Sequence, residues 1–126
     1  MYKTVSYLSD LKFNLETWKR ELRFHFNEMD TFEEKLEEIA AREFDMEARL
    51  KIEQFQNRIE IERNEISKLM HRCKNKMKNL HAVDLNESVD GSLLRKQKPL
   101  KDDMRQYIKL HYDLKEEMMD FFSHWL

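Results

Sequence analysis

Two histidines raise the question of a metal or catalytic site in this chain of 126 residues. His25 and His111 each occupy a position where a heptad pattern places an apolar residue, and Glu21 lies one helical turn before His25. Buried carboxylates and histidines hold metals in four-helix bundles, but those sites use paired Glu-x-x-His motifs, which this sequence lacks. We therefore interpret His25 and His111 as polar core residues that fix the register of the helices. A metal or ligand site that includes Glu21 is the alternative.

The sequence also lacks the common catalytic motifs. There is no glycine-rich phosphate loop, no Gly-x-Ser-x-Gly elbow, no Cys-x-x-Cys and no His-Glu-x-x-His, and the chain has one glycine. We predict a protein that is not an enzyme and that binds no cofactor and no metal. The single cysteine, Cys73, permits no internal disulfide and is predicted to be a small buried thiol.

A heptad pattern runs for over thirty residues, from Leu8 to Ile39, and predicts a long helix that faces a partner. Its apolar members are Leu8, Leu11, Leu15, Trp18, Leu22, Met29, Phe32, Leu36 and Ile39. Continued further, the pattern would put Glu43 in the core, and the next apolar series is out of phase with it. We therefore predict a turn at 42–46 with Asp45 as the cap of the next helix. A rival turn near residue 30 is suggested by a capping box at Thr31 and Glu34, although the heptad continues through it.

The predicted architecture is all-α: an antiparallel coiled-coil hairpin of long helices plus a third helix. We expect helix 1 at about 4–42, helix 2 at about 46–82, a loop at 83–98 and helix 3 at about 99–125. The loop contains the only glycine, and Pro99 suits the first turn of a helix. The heptad of helix 3 consists of Met104, Tyr107, His111, Leu114, Met118, Phe121 and Trp125.

Composition agrees with a single helical domain over residues 1–126. Charged residues make up 38% of the chain and aromatic residues 11%, with one glycine and one proline, as in long packed helices. The plan of three antiparallel helices with an early tryptophan in helix 1, here Trp18, resembles spectrin repeats. The resemblance concerns architecture only and implies a three-helix bundle without any implied function.

Several apolar side chains lie outside the heptad stripes. The candidate interface residues are Phe13, Phe24, Tyr112, Met119 and Phe122. Exposed aromatic stripes usually mark an interface, so we predict self-association, most simply as a twofold dimer. In the alternative, the wide apolar face of helix 3 is filled within one chain.

Charge is segregated along the chain although its net value is only −2. Residues 28–47 contain nine acidic residues against two basic ones, a net charge of −7, and residues 68–101 contain nine basic residues against three acidic ones, a net charge of +6. A basic pole could contact an acidic protein partner; its candidate residues are Arg72, Lys74, Lys76, Lys78, Arg95, Lys96 and Lys98. Nucleic acid is a less expected partner because no aromatic residues are interleaved with these bases.

The N-terminal residues lack the apolar core of a signal peptide, and no stretch approaches the roughly 20 apolar residues of a membrane span. We expect a cytoplasmic protein without membrane association. The predicted function is protein–protein interaction, as a scaffold or adaptor that self-associates through aromatic helix faces. The alternative is a helical bundle that binds a metal or ligand and could be enzymatic.

Overall fold

A computed structural model describes the backbone of residues 2–81 and 91–126 and the side chains of residues 8–81 and 95–126. The described residues form three helices and no strand: α1 (Tyr2–Arg42), α2 (Met46–His81) and α3 (Gly91–Trp125). Helices α1 and α2 pack closely as a hairpin, and α3 packs against both. The predicted fold class, an all-α hairpin with a third helix, is confirmed.

The turn between α1 and α2 consists of three residues and lies within the predicted range. Oδ1 of Asp45 accepts hydrogen bonds from the backbone N–H groups of Glu47 (2.9 Å) and Ala48 (3.1 Å), so Asp45 caps α2. Glu47 adds a negative charge to the first turn, where the helix dipole favours one. Helix α1 continues without interruption through Thr31, where the rival turn was considered.

The start of α3 differs from the prediction. We expected a loop at 83–98 and a helix at about 99–125, but residues Gly91–Lys98 are helical and α3 begins eight residues earlier. Pro99 therefore lies inside the helix rather than in its first turn. The remainder of the predicted loop, residues 83–90, and residue 82 at the predicted end of helix 2 lie outside the described residues.

The heptad spacing explains why the helix extends upstream of Pro99. Gln97 and Leu100 are buried three residues apart, and Met104 follows four residues later, so the buried stripe of α3 begins before the proline. A proline removes the hydrogen bond that its nitrogen would donate to the carbonyl of Arg95. Packing on both sides of Pro99 outweighs that local loss.

The core forms two apolar clusters along the bundle. The first core cluster contains Leu8, Leu11, Leu15, Leu22, Ile66, Leu69, Cys73, Met77, Leu80, Leu100, Met104 and Tyr107. The second core cluster contains Met29, Phe32, Leu36, Ile39, Ile52, Phe55, Ile59, Leu114, Met118, Phe121 and Phe122. Each cluster joins the same part of α1 and α3 to the opposite part of α2, so α1 and α3 run in the same direction and α2 runs against them. Trp18 packs against the first cluster and Trp125 against the second.

Candidate functional site: a buried polar layer beside an exposed apolar face

A buried polar layer separates the two core clusters. His25 of α1, Glu62 of α2, and Tyr107 and His111 of α3 form it, and each occupies a core position of its helix. Only 2% of His25 and none of His111 is exposed to solvent. Polar groups buried this deeply require hydrogen-bond partners, because an unpaired one costs on the order of 1–3 kcal/mol.

The two histidine rings stack face to face. Their centroids are 3.6 Å apart and their planes differ by 9°. The hydroxyl of Tyr107 lies 2.7 Å from Nδ1 of His25, and Nδ1 of His111 donates to Oε2 of Glu62 at 3.0 Å. Each histidine is thereby held by a polar side chain within the polar layer.

Two further carboxylates approach the Nε2 atoms of the histidines from α1. Oε1 of Glu21 is 3.7 Å from Nε2 of His25, and Oε1 of Glu28 is 3.7 Å from Nε2 of His111. The second oxygen of Glu28 accepts a hydrogen bond from Lys115 of α3 at 3.0 Å. Among the described residues, Nε2 of His111 and Oε1 of Glu28 have no hydrogen-bond partner.

Burial determines the protonation state of His25. Desolvation, with smaller contributions from the nearby His111 and Lys115, lowers the pKa of His25 to about 4, so the ring is neutral at pH 7. Burial also raises the pKa of Tyr107 well above its usual range, and the carboxylate of Glu62 contributes to that increase. The Tyr107 hydroxyl keeps its proton and donates to Nδ1 of His25, which places the imidazole proton on Nε2, facing Glu21.

The polar layer does not have the geometry of a metal site. Nitrogen lone pairs lie in the plane of an imidazole ring, so two stacked rings direct them along parallel planes instead of toward one point. Within residues 8–81 and 95–126, no group of three or more His, Cys, Asp or Glu side chains is arranged to hold a metal ion. The structure brings His25, His111 and Glu21 into one neighbourhood but not into a ligand set.

An apolar face lies on the outside of the bundle where α1 and α3 meet. Phe24 and Tyr112 both contact the ring of His25 edge-on, at 6.2 and 5.8 Å between centroids. Met119 follows Tyr112 by seven residues, two helical turns, and therefore lies on the same side of α3. Phe13 lies three turns before Phe24 on the outer surface of α1. We call this surface the α1–α3 face.

Four of the five predicted interface residues are exposed on this face. The exposed fractions are 63% for Phe13, 61% for Phe24, 50% for Tyr112 and 47% for Met119. The fifth prediction, Phe122, was wrong: only 6% of it is exposed, and it packs on Phe32 in the second core cluster. Phe122 belongs to the part of the wide helix 3 surface that the monomer fills by itself.

The predicted basic pole is brought together where the end of α2 meets the start of α3. The Lys76 ammonium donates to the backbone carbonyl of Lys96 at 3.1 Å, which joins the two segments. Arg72 pairs with Asp103 at 2.6 Å. The exposed members are Lys74, Lys78, Arg95, Lys96 and Lys98. The last three were expected in a loop, and the structure places them on α3.

Sequence reasoning missed the acidic member of the polar layer. Glu62 falls midway in the seven-residue step from Ile59 to Ile66, and that gap in the apolar series of α2 was the available signal. It also missed a groove of about 420 Å³ between α2 and α3. Glu62 and Tyr107 line the groove, and the exposed side chains of Ile61 and Leu110 flank it.

Comparisons with known proteins do not extend this description. None of the described helices contains a segment long and apolar enough to cross a membrane. No protein-family model matches the sequence, and searches of curated proteins and of solved structures gave no significant match.

Proposed function

We propose that this chain is a protein–protein interaction module, a scaffold or adaptor, that self-associates through the α1–α3 face. The observation that carries the proposal is the exposure of Phe13, Phe24, Tyr112 and Met119 on one side of a bundle whose core is already filled. Several large apolar side chains exposed on one side of a molecule are characteristic of interaction sites. Burial of each phenylalanine would contribute roughly 1.5–3 kcal/mol to association.

The α1–α3 face is favoured over the exposed apolar residues at the hairpin tip by its extent. Phe44 and Met46 at the turn are also exposed, but they lie at the tip of the hairpin, and the guanidinium of Arg49 covers the Phe44 ring at 5.2 Å. The α1–α3 face instead spans two helices and reaches from Phe13 to Met119. Such a surface suits the side-by-side packing of helices.

The same proposal takes the protein to be non-enzymatic and to act in the cytoplasm. Cys73 supports a reducing compartment, because it is the only cysteine and is buried as a free thiol. Burial raises the pKa of the Cys73 thiol to about 11, which suppresses the reactive thiolate. An acidic protein partner at the basic pole would be a second contact of the same scaffold.

The test is the oligomeric state of the purified chain. Sedimentation equilibrium at micromolar concentration should give the mass of a dimer. Replacement of Phe13 and Phe24 by alanine should weaken association at least ~100-fold, since the loss of two buried rings removes several kcal/mol. Circular dichroism should show that helicity is unchanged, because both side chains are exposed in the monomer.

A matched control replaces two other exposed apolar residues, Phe44 and Met46, by alanine. This variant removes a similar apolar area at the hairpin tip and should dimerise as the wild type does. Two results would refute self-association through the α1–α3 face. One is a wild-type chain that sediments as a monomer at 100 µM, on the order of ten times the test concentration. The other is loss of the dimer in the Phe44 and Met46 variant but not in the Phe13 and Phe24 variant.

A second candidate function is binding of a small ligand in the α2–α3 groove. It is favoured by the placement of Glu62 and Tyr107, which line the groove and also hydrogen-bond to the buried histidines. A ligand in the groove would therefore contact the polar layer directly. Elemental analysis and melting with and without a chelator test the metal form of this alternative. Metal-free protein with an unchanged melting temperature would eliminate that form.

A further inference from the structure

The exposed charges change sign along the α1–α3 face. In two ion pairs, Lys98–Asp102 at 2.9 Å and Lys35–Glu38 at 3.2 Å, the charges of the two partners cancel. Exposed charges of this face without an ion-pair partner among the described residues include Arg20, Lys101 and Arg105 on the half of the bundle that contains the first core cluster, and Glu34 and Glu116 on the half that contains the second. Asp10, an exposed acid on the first half, is the exception.

The larger charge asymmetry of the chain has the same orientation. Residues 28–47, with a net charge of −7, end at the hairpin turn, and the basic pole lies at the opposite end of the bundle. The molecule therefore carries an electric dipole along its length, and the α1–α3 face lies between the two charged ends.

The centre of the α1–α3 face lies beside the polar layer. Phe24 and Tyr112 contact His25 of that layer from the outside. Phe13 lies about 16 Å from Phe24 toward the basic end, and Met119 lies about 10 Å from Tyr112 toward the acidic end, at 1.5 Å per residue. If a second copy of the bundle is turned end to end about the level of Phe24 and Tyr112, its Phe13 therefore comes close to the level of Met119 in the first copy.

We propose that the partner on the α1–α3 face is a second copy of this chain, docked antiparallel about a twofold axis close to Phe24 and Tyr112. The inference rests on the proposed function, since it specifies the geometry of that self-association. An antiparallel pair places the acidic half of each copy along the basic half of the other, whereas a parallel pair places like charges together. Electrostatic complementarity of this kind fixes orientation.

Distances between spin labels distinguish the two arrangements. Asn27 near the centre and Ala41 near the acidic end are exposed and uncharged, so each can be replaced by cysteine in a Cys73→Ala background. In an antiparallel dimer, labels at residue 27 should be within ~25 Å of each other and labels at residue 41 should be ~50 Å apart, given 1.5 Å per residue from the axis. If Cys73→Ala fails to fold, Cys73→Ser provides a second background.

Charge reversal provides an independent test. Lys101→Glu with Arg105→Glu makes the α3 part of the basic half acidic, and Glu34→Lys with Glu116→Lys makes the acidic half basic. Each variant alone should dimerise at least ~10-fold more weakly than the wild type at low salt, and an equimolar mixture should recover the wild-type affinity. The matched control, Lys74→Glu with Lys78→Glu, changes the same amount of charge on α2, away from the face, and should weaken dimerisation less than either face variant.

The outcomes separate the two proposals. Short distances at residue 27 and long ones at residue 41 support the antiparallel dimer. A dimer with short distances at both positions is parallel; it overturns this inference and leaves self-association intact. A chain that is monomeric at all concentrations overturns both self-association and the antiparallel geometry. This holds also if the face then binds a different protein.

Discussion

His25 is the residue whose protonation most directly opposes folding. Its imidazole lies inside the bundle, where a charge would lose its hydration, and the nearby His111 and Lys115 also lower the pKa of His25. The carboxylate of Glu21, 3.7 Å from Nε2, would favour a proton, but desolvation exceeds that attraction. The hydrogen bond from Tyr107 to Nδ1 further requires that this nitrogen remain unprotonated.

We predict that acid destabilises the fold through His25. The pKa of His25 is about 4 in the folded chain and 6.5 in the unfolded chain, so between these values the unfolded state binds the additional proton. The free energy of unfolding should therefore be fully retained above about pH 7 and decrease as the pH falls from 6.5 to 4, by about 3 kcal/mol in total. Urea denaturation at several pH values measures this dependence.

The carboxylates also titrate in acid, so the contribution of His25 is obtained from a variant. His25→Leu with Tyr107→Phe removes the imidazole together with the hydroxyl that it would leave unpaired. Between pH 6.5 and 4, the slope of its unfolding free energy against pH should be smaller than that of the wild type by up to about 1.4 kcal/mol per pH unit. His71→Gln, which alters an exposed histidine, is the control. An unchanged pH dependence in the double variant would contradict the buried neutral imidazole.

At the level of the helices, the hairpin turn depends on Asp45. Its side chain satisfies two of the N–H groups that every helix leaves unpaired at its N-terminus. The short connection also allows Arg49 to donate to the backbone carbonyl of Glu43 at 3.1 Å. Arg49 also donates to the backbone carbonyl of Ala40 in α1 at 3.4 Å, so contacts to both helices hold the connection in one conformation.

We predict that Asp45→Ala lowers the free energy of unfolding by about 1 kcal/mol, since it removes the cap of α2. Asp45→Asn keeps an oxygen acceptor at the same position and should lose less than half of that amount. Chemical denaturation measures both values. A loss from the asparagine variant equal to that from alanine would show that the charge of Asp45, rather than its hydrogen bonds, stabilises the turn.

The sequence predicted the helices better than it predicted which side chains each helix buries. A break in heptad phase located the hairpin turn, because register is a property of many residues at once. The early start of α3 was missed because Pro99 is a strong local signal for a helix start, and packing upstream of it overrides that signal. Phe122 was assigned to an interface because periodicity alone does not say how wide a stripe the other two helices cover.

The polar layer shows the same limit for the candidate site. Both histidines were expected in the core because the heptads of α1 and α3 pass through them. That they would stack on each other depends on the axial alignment of two helices, which no pattern within either helix specifies. Glu62 was missed because a single glutamate within an acidic segment looks like a solvated residue until its partner, His111, is known.

At the scale of the whole molecule, the polar layer divides the hydrophobic core. Ile59 and Ile66 of α2 lie three and four residues on either side of Glu62, about one helical turn, in different core clusters. Both are almost completely buried. Because hydrophobic contacts act over short distances, each cluster should respond to a cavity in its own half.

We therefore predict that Ile59→Val and Ile66→Val act independently. Each should lower the free energy of unfolding by about 1 kcal/mol, and the double variant should lose the sum within about 0.5 kcal/mol. Ile66→Val combined with Leu69→Ala, both in the first core cluster, is the comparison pair and should deviate more from additivity. A large coupling between Ile59 and Ile66 would show that strain passes through the polar layer.

The positions of the two tryptophans have a practical consequence for folding studies. Trp18 packs on one half of the core and Trp125 on the other, and the chain has no further indole. Fluorescence of a Trp18→Phe chain therefore reports on the half beside the hairpin turn, and that of a Trp125→Phe chain on the half beside the basic pole. Coincident unfolding midpoints would establish that the bundle unfolds as one cooperative unit, and separate midpoints would reveal two.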